Sequence, residues 1–103
     1  AVCAYLEEHS GEPVSLDQLG EVAGLSKYYL LRSFTKQKGI SPYRYLETIR
    51  IAKARKLLER NVPMIEVALQ TGFADQSHFS RFFKRLIGVT PRQYAEIFGG
   101  RQA

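Results

Sequence analysis

The segment LLRSFTKQKGISPYRY (residues 30–45) is repeated 49 residues later as FSRFFKRLIGVTPRQY (residues 79–94). Seven positions keep one kind of residue in one register: apolar, arginine, phenylalanine, glycine, hydroxyl, proline and tyrosine. Upstream, the offset falls to 48 residues and pairs Gly20 with Ala68 and Gly24 with Gly72, so the second turn contains one additional residue. A small residue, a turn glycine and then a helix with an apolar face form the pattern of a helix-turn-helix unit. The repeat therefore predicts two such units.

Helical periodicity dominates the chain, because apolar residues recur three and four positions apart and no long run alternates. The predicted helices cover approximately residues 1–9, 16–23, 27–38, 42–60, 64–71, 76–87 and 91–98. We expect Gly11 to end the first helix in the left-handed conformation. The predicted fold class is all-α with seven helices: two helix-turn-helix subdomains (1–40 and 61–98) joined by a long linker helix (41–60), with a frayed tail (99–103).

Composition and charge describe a small globular domain with a polyanionic partner. The 103 residues are 45% hydrophobic and 24% charged, and their formal net charge is +5. Residues 1–20 contain acidic residues but no Lys or Arg, so the basic charge belongs to the later helices. A basic balance of this kind indicates a partner such as nucleic acid.

The sequence also indicates the compartment. No stretch approaches the ~20 consecutive apolar residues of a membrane helix, and no basic N-terminal region precedes an apolar run. The single cysteine, Cys3, has no partner for an internal disulfide, and we expect it to be a small buried apolar residue. We therefore predict a soluble cytoplasmic protein with no membrane partner. Because the chain begins with Ala1 rather than Met, we expect it to be a fragment of a longer protein.

Two helices are predicted to present an outward stripe without acidic residues. In the third helix, Leu30 and Phe34 are expected to point inward, and in the sixth helix Phe79, Phe83 and Leu86. This leaves two outward sets, Tyr28, Leu31, Arg32 and Thr35 in the first and Ser77, Ser80, Arg81 and Lys84 in the second, flanked by Gln76 and His78. Hydrogen-bonding and cationic side chains of this kind suit base edges and phosphates in the major groove.

These motifs resemble the DNA-binding domain of the AraC/XylS family from about Leu6 to Phe98. The most specific segment runs from Ile65 to Tyr94 and carries a set of residues that looks like the family signature: Ala68, Gly72, Phe73, Phe79, Ser80, Arg81, Phe83, Lys84, Gly88, Thr90, Pro91 and Tyr94. The resemblance implies two recognition helices in successive major grooves of double-stranded DNA, held apart by the fourth helix. It implies regulation of transcription at promoters, with activation through RNA polymerase as the expected mode and repression left open. An effector or dimerisation domain is expected in an N-terminal part outside this sequence.

The resemblance also assigns roles to individual positions of this sequence. The base-contacting residues that it implies are Tyr28, Leu31, Arg32, Gln76, Ser77, His78, Ser80 and Arg81. The phosphate-contacting residues are Ser26, Lys27, Lys36, Lys84 and Arg85, which would fix the register without reading sequence.

Several of these positions have a structural alternative. Arg32 and Arg81 are expected either to contact DNA or to form a structural salt bridge. Tyr28 either contacts DNA or covers the turn, and His78 either contacts a base or is a surface or packing residue. Leu31 stands where many family members have a polar residue; it has no hydrogen-bond donor, and contacts either a thymine methyl group or nothing.

The fourth helix has two interpretations. Its cations either face DNA phosphates or belong to a solvated helix, and the apolar residues Ile49, Ala52, Leu57 and Leu58 favour a solvated face for the cations Arg50, Lys53, Arg55 and Lys56.

Two other classes of function compete with DNA binding. An enzyme is disfavoured, because the sequence has no glycine-rich phosphate loop, metal-ligand cluster or nucleophile with a nearby His and acid, and so predicts no cofactor and no metal. A helical protein-interaction or RNA-binding module is the second rival, although the exposed aromatic sheet and glycine loop of common RNA modules are missing.

Overall fold

The computed structural model describes residues 1–100, and in this range every element of regular secondary structure is an α-helix, as predicted. The seven helices are α1 (Val2–Glu8), α2 (Leu16–Ala23), α3 (Lys27–Lys38), α4 (Pro42–Glu59), α5 (Met64–Gln70), α6 (Gln76–Ile87) and α7 (Pro91–Phe98). The chain divides into two compact units, a first unit of residues 1–49 and a second unit from residue 50 onward. The division falls within α4, so this helix supplies residues to both units.

The first unit has its own apolar core. It is built from six buried residues of α1 to α4: Leu6, Leu19, Leu30, Phe34, Leu46 and Ile49. Tyr45 adds an edge-to-face contact with Phe34, with ring centroids 5.5 Å apart. Cys3 packs against this core, but it is only half-buried, whereas the sequence predicted a buried residue. A hydrogen bond with the Cys3 side chain and desolvation raise the pKa of Tyr45.

Side-chain caps fix where the helices of the first unit begin. The Ser15 hydroxyl accepts a hydrogen bond from the Gln18 backbone N–H, and the Gln18 side chain accepts one from the Ser15 N–H. The Ser26 hydroxyl accepts from the Tyr29 N–H at 3.3 Å, and Ser41 does the same for Arg44 at 3.2 Å. These bonds satisfy amide groups that have no partner inside the helix, so the chain enters each helix at a defined residue.

The end of α1 differs from the prediction. The helix ends at Glu8 with His9 as its C-cap at φ −111°, and Gly11 is not among the described glycines with positive φ. The His9 ring instead lies 4.3 Å from the Tyr5 ring, and its Nδ1 is 3.2 Å from the Glu12 carboxylate. Side-chain contacts therefore accompany the turn after α1, and a left-handed glycine is not required.

The second unit is built around a larger core that is rich in phenylalanine. Its buried residues come from α4 to α7 and the turn after α5: Ile51, Ala54, Leu58, Val67, Ala68, Phe73, Phe79, Phe82, Phe83 and Tyr94. The prediction that Leu86 points inward was wrong, since Leu86 is 46% exposed. Phe82 and Ile87 contact the core instead, because the inward face of α6 continues from Phe79 through Phe83 to Ile87 at four-residue intervals.

A set of polar contacts joins α7 and the residues after it to the end of α4. The Tyr94 hydroxyl donates to the Glu59 carboxylate and accepts from Arg55 Nε at 3.2 Å. The Gly100 N–H donates to the Glu59 carbonyl at 2.7 Å, and the Asn61 side-chain amide donates to the Gly100 carbonyl at 2.6 Å. The predicted frayed tail is therefore wrong for residues 99–100, while residues 101–103 lie outside the described residues.

Candidate DNA interface

In the first unit, a tight turn connects α2 to α3. Gly24 has φ +71°, and the Leu25 N–H donates to the Gly20 carbonyl at 2.9 Å. A Cβ on Gly20 would lie 2.6 Å from the Leu25 carbonyl oxygen. Glycine is thus required at position 20 because the backbone of the turn packs directly against it and leaves no room for a side chain.

The turn presents one face of α3 to solvent. Leu30 and Phe34 are buried, while the predicted outward stripe, Tyr28, Leu31, Arg32 and Thr35, is exposed as expected. Tyr28 is 70% exposed, so it does not simply cover the turn. Among the residues described, no carboxylate lies within salt-bridge distance of the Arg32 guanidinium. The stripe therefore presents the guanidinium of Arg32, which forms no salt bridge among the described residues, together with the aromatic Tyr28 and the apolar Leu31.

The residues near the start and end of α3 suit phosphate contacts. Ser26 is exposed although its hydroxyl accepts the cap bond. Lys27 Nζ lies 5.4 Å from the Tyr28 ring centroid and 4.0 Å from the Asp17 carboxylate, which is itself largely exposed. Lys36, in the last turn, is exposed. An exposed pair at 4.0 Å is weak, so Lys27 can exchange Asp17 for a phosphate at little cost.

In the second unit, five residues (71–75) connect α5 to α6, against three (24–26) between α2 and α3, because the sequence has one additional residue there and α5 ends one residue earlier. The Phe73 N–H donates to the Ala68 carbonyl at 3.1 Å, matching the bond between Leu25 and Gly20. Phe73 is buried and contacts Phe79, with ring centroids 5.3 Å apart. The Asp75 carboxylate then accepts from the His78 N–H at 2.7 Å and starts α6.

The outward stripe of α6 is the more polar of the two. Gln76, Ser77, Arg81 and Lys84 are exposed and Ser80 is half-buried. Within residues 1–100, Arg81 has no carboxylate within salt-bridge distance, as is the case for Arg32. Exposed Lys84 and Arg85 lie in the last turn, where cations also interact favourably with the helix dipole.

His78 is placed differently from its neighbours on α6. Its ring is half-buried and contacts Phe73 edge-to-face, with centroids 5.5 Å apart, and Phe82 at 6.5 Å. Much of the His78 ring therefore packs against these phenylalanines, and only its exposed edge is available to contact a base.

The cations of α4 do not form one solvated row. Arg50 is only 7% exposed, so neither predicted interpretation of α4 holds for it. Arg55 is held by Tyr94, and their hydrogen bond raises the pKa of Arg55. Lys53 and Lys56 are exposed. The sequence does not predict the contact of Arg55, because its partner Tyr94 lies 39 residues away along the chain.

Two further properties of the described residues bear on function. Residues 1–100 contain no group of three or more His, Cys, Asp or Glu side chains placed to hold a metal ion. In the same range, no helix combines the length and apolarity needed to cross a membrane.

Taken together, the geometry defines a class of protein. In each unit, the second helix of a helix-turn-helix motif exposes a stripe that contains no acidic residue. Each stripe has an arginine without a carboxylate partner among the described residues, Arg32 in α3 and Arg81 in α6. This is the arrangement by which helix-turn-helix proteins place a recognition helix in the major groove of DNA.

Comparison with known proteins assigns the family. A family model described as a helix-turn-helix domain matches residues 19–97. The chain is 64% identical over 77 residues to YbfI, an uncharacterized HTH-type transcriptional regulator of Bacillus subtilis (strain 168), covering 75% of this chain and 28% of that protein. It is 40% identical over 101 residues to the HTH-type transcriptional activator RhaS of Escherichia fergusonii, covering 97% of this chain and 35% of RhaS.

Solved structures share the fold. The DNA-binding domain of AdpA, a global transcriptional factor solved in complex with a target DNA, superposes with a TM-score of 0.88 at 30% identity, covering 94% of this chain and 88% of that one. The chain belongs to the AraC-type helix-turn-helix family, whose members are DNA-binding domains of transcription regulators rather than enzymes. It spans about a third of the length of the two curated relatives named above.

Proposed function

We propose that this chain binds double-stranded DNA sequence-specifically, with α3 and α6 in successive major grooves, and thereby regulates transcription at promoters. The observation that carries the proposal is the matched pair of exposed stripes, each with an arginine that has no carboxylate partner among the described residues. Arginine donates two hydrogen bonds to guanine O6 and N7, the commonest specific contact in the major groove.

The proposed contacts divide by chemistry. Tyr28, Leu31 and Arg32 of α3, and Gln76, Ser77, Ser80 and Arg81 of α6, contact bases, with the exposed edge of His78 as a minor contributor. Ser26, Lys27, Lys36, Lys84 and Arg85 contact phosphates and fix the register. The AdpA domain, solved in complex with a target DNA, supports DNA binding by this fold through its similarity in structure.

The wider role rests on the relatives. RhaS is named a transcriptional activator, and we propose that the protein containing this chain also activates, through contact with RNA polymerase. We propose that it acts in the cytoplasm at the nucleoid, and that an N-terminal effector or dimerisation domain precedes this one.

The test is a binding titration of this chain. A duplex of about 20 base pairs, selected from a random pool, is compared with random duplex and single-stranded RNA at two salt concentrations. With four cations on phosphates (Lys27, Lys36, Lys84 and Arg85), we expect affinity for the selected duplex to fall about 100-fold between 50 and 200 mM salt. Equal binding to RNA, or affinity independent of salt, would contradict the proposal.

A further inference from the structure

Leu31 is an apolar residue on the stripe that α3 turns to solvent. It is 37% exposed, whereas its neighbours Leu30 and Phe34 are 3% and 6% exposed. It is not among the described residues that pack against the core of the first unit. More than a third of the Leu31 surface therefore stays open to solvent on this stripe after the first unit has folded.

The surroundings of Leu31 place it in the proposed contact surface. It follows Tyr28 by one helical turn and adjoins Arg32, and both of these side chains are exposed. The matched position of α6 is Ser80, which has a hydroxyl group. The two helices therefore differ in chemistry at one equivalent position, with a hydrogen-bonding group in α6 and an aliphatic group in α3.

The major groove offers few groups that an aliphatic side chain can distinguish. The edges of guanine, adenine and cytosine present hydrogen-bond donors and acceptors, and only thymine presents a methyl group, at C5. Leucine neither donates nor accepts a hydrogen bond, so it gains free energy in the groove only by burying apolar surface. A leucine facing base edges is therefore selective for thymine.

We propose that Leu31 gives the first unit a preference for thymine by packing against its C5-methyl group. This inference rests on the proposed function, because it requires α3 in the major groove. The second unit, with Ser80 at the matched position, has no such dependence there.

The experiment removes single methyl groups from DNA. In a selected duplex, the half-site of the first unit is identified as the base pairs where Arg32→Ala relaxes preference. Each thymine of that half-site is then replaced by deoxyuridine. We expect one replacement to weaken binding about fourfold, as for the loss of one buried methyl-sized group. The Leu31→Ala variant is expected to bind the thymine and deoxyuridine duplexes equally at that position.

A matched variant and a reciprocal substitution complete the test. Leu86→Ala removes the same atoms from a leucine of comparable exposure, 46%, and it should keep the wild-type response to deoxyuridine. At the same position, a 5-methylcytosine·guanine pair should bind more tightly than cytosine·guanine to wild type but not to Leu31→Ala. Circular dichroism of both variants should match wild type.

The outcomes separate this inference from the function on which it depends. If the wild-type chain shows no preference for a selected duplex, the proposed function fails. If it shows that preference but tolerates every deoxyuridine, or if Leu31→Ala keeps the sensitivity at the same thymine, DNA binding stands and the role of Leu31 is overturned.

Discussion

Arg32 and Arg81 are the residues on which specificity depends most directly in this account. Each stands at the same position of a repeat, faces solvent, and lacks a carboxylate partner within the described part of the chain. A guanidinium without an intramolecular partner loses no salt bridge when it enters a groove. Its five donors are therefore available to a base or a phosphate.

Arg81 is predicted to read sequence, while the nearby Arg85 is predicted only to add affinity. Arg81→Ala should cost about 1–3 kcal/mol of binding free energy and relax preference at one or two base pairs. Arg85→Ala should weaken binding to all sequences alike and reduce the salt slope by about one. Binding to a panel of single-base-pair variants measures both effects. Unfolding of Arg81→Ala, or equal weakening on every duplex, would show that Arg81 does not read bases.

The sequence predicted the exposed stripes well and the partners of individual side chains poorly. Helical periodicity alone decides that Tyr28 and Arg32 face away from Leu30 and Phe34. It contains no information about Arg55, whose partner Tyr94 comes from a distant helix, or about the burial of Arg50. Such contacts depend on tertiary packing, which a local pattern does not encode.

At the scale of elements, the two helix-turn-helix turns differ in a way that explains Gly20 and Ala68. The turn of the first unit brings the Leu25 carbonyl to within 2.6 Å of where a Cβ on Gly20 would lie. The second turn is longer, with five residues (71–75) against three (24–26), and accommodates the Cβ of the buried Ala68. The shorter turn thus requires glycine on the helix that precedes it.

Gly20→Ala is predicted to destabilise the first unit despite the higher helix propensity of alanine. Overpacking against backbone costs about 1–3 kcal/mol, and the propensity gain returns at most about 1 kcal/mol. We therefore expect a net loss of up to about 2 kcal/mol in the free energy of unfolding, measured by urea denaturation. A control variant, Glu21→Ala, changes an exposed neighbour and should have little effect. Stabilisation by Gly20→Ala would contradict the account of the turn.

Helix ends were predictable where a single local residue decides them. Ser15, Ser26 and Thr90 cap their helices, and Gly24 makes the predicted turn, with a left-handed backbone conformation. The misses at Gly11 and at residues 99–100 share a cause. There the backbone is accompanied by side-chain or long-range contacts, such as the bond from Gly100 to Glu59, that local rules do not include.

At the scale of the whole molecule, each unit has its own core, and α4 supplies residues to both. Each unit also presents one candidate recognition helix. In the proposed complex, both helices contact one duplex at the same time, so the spacing of the two half-sites on DNA determines affinity.

The most direct test inserts five base pairs between the half-sites of the selected duplex. Half a helical turn carries the second half-site to the opposite face of DNA, so the two helices lose simultaneous access. We predict that affinity falls at least about tenfold, the factor for one lost arginine contact, and that it equals the affinity for an isolated half-site. On the inserted duplex, removing the arginine of the unit that stays bound should weaken binding further, whereas removing the other arginine should have no further effect. Unchanged affinity after the insertion would show that only one helix binds, and it would contradict the account.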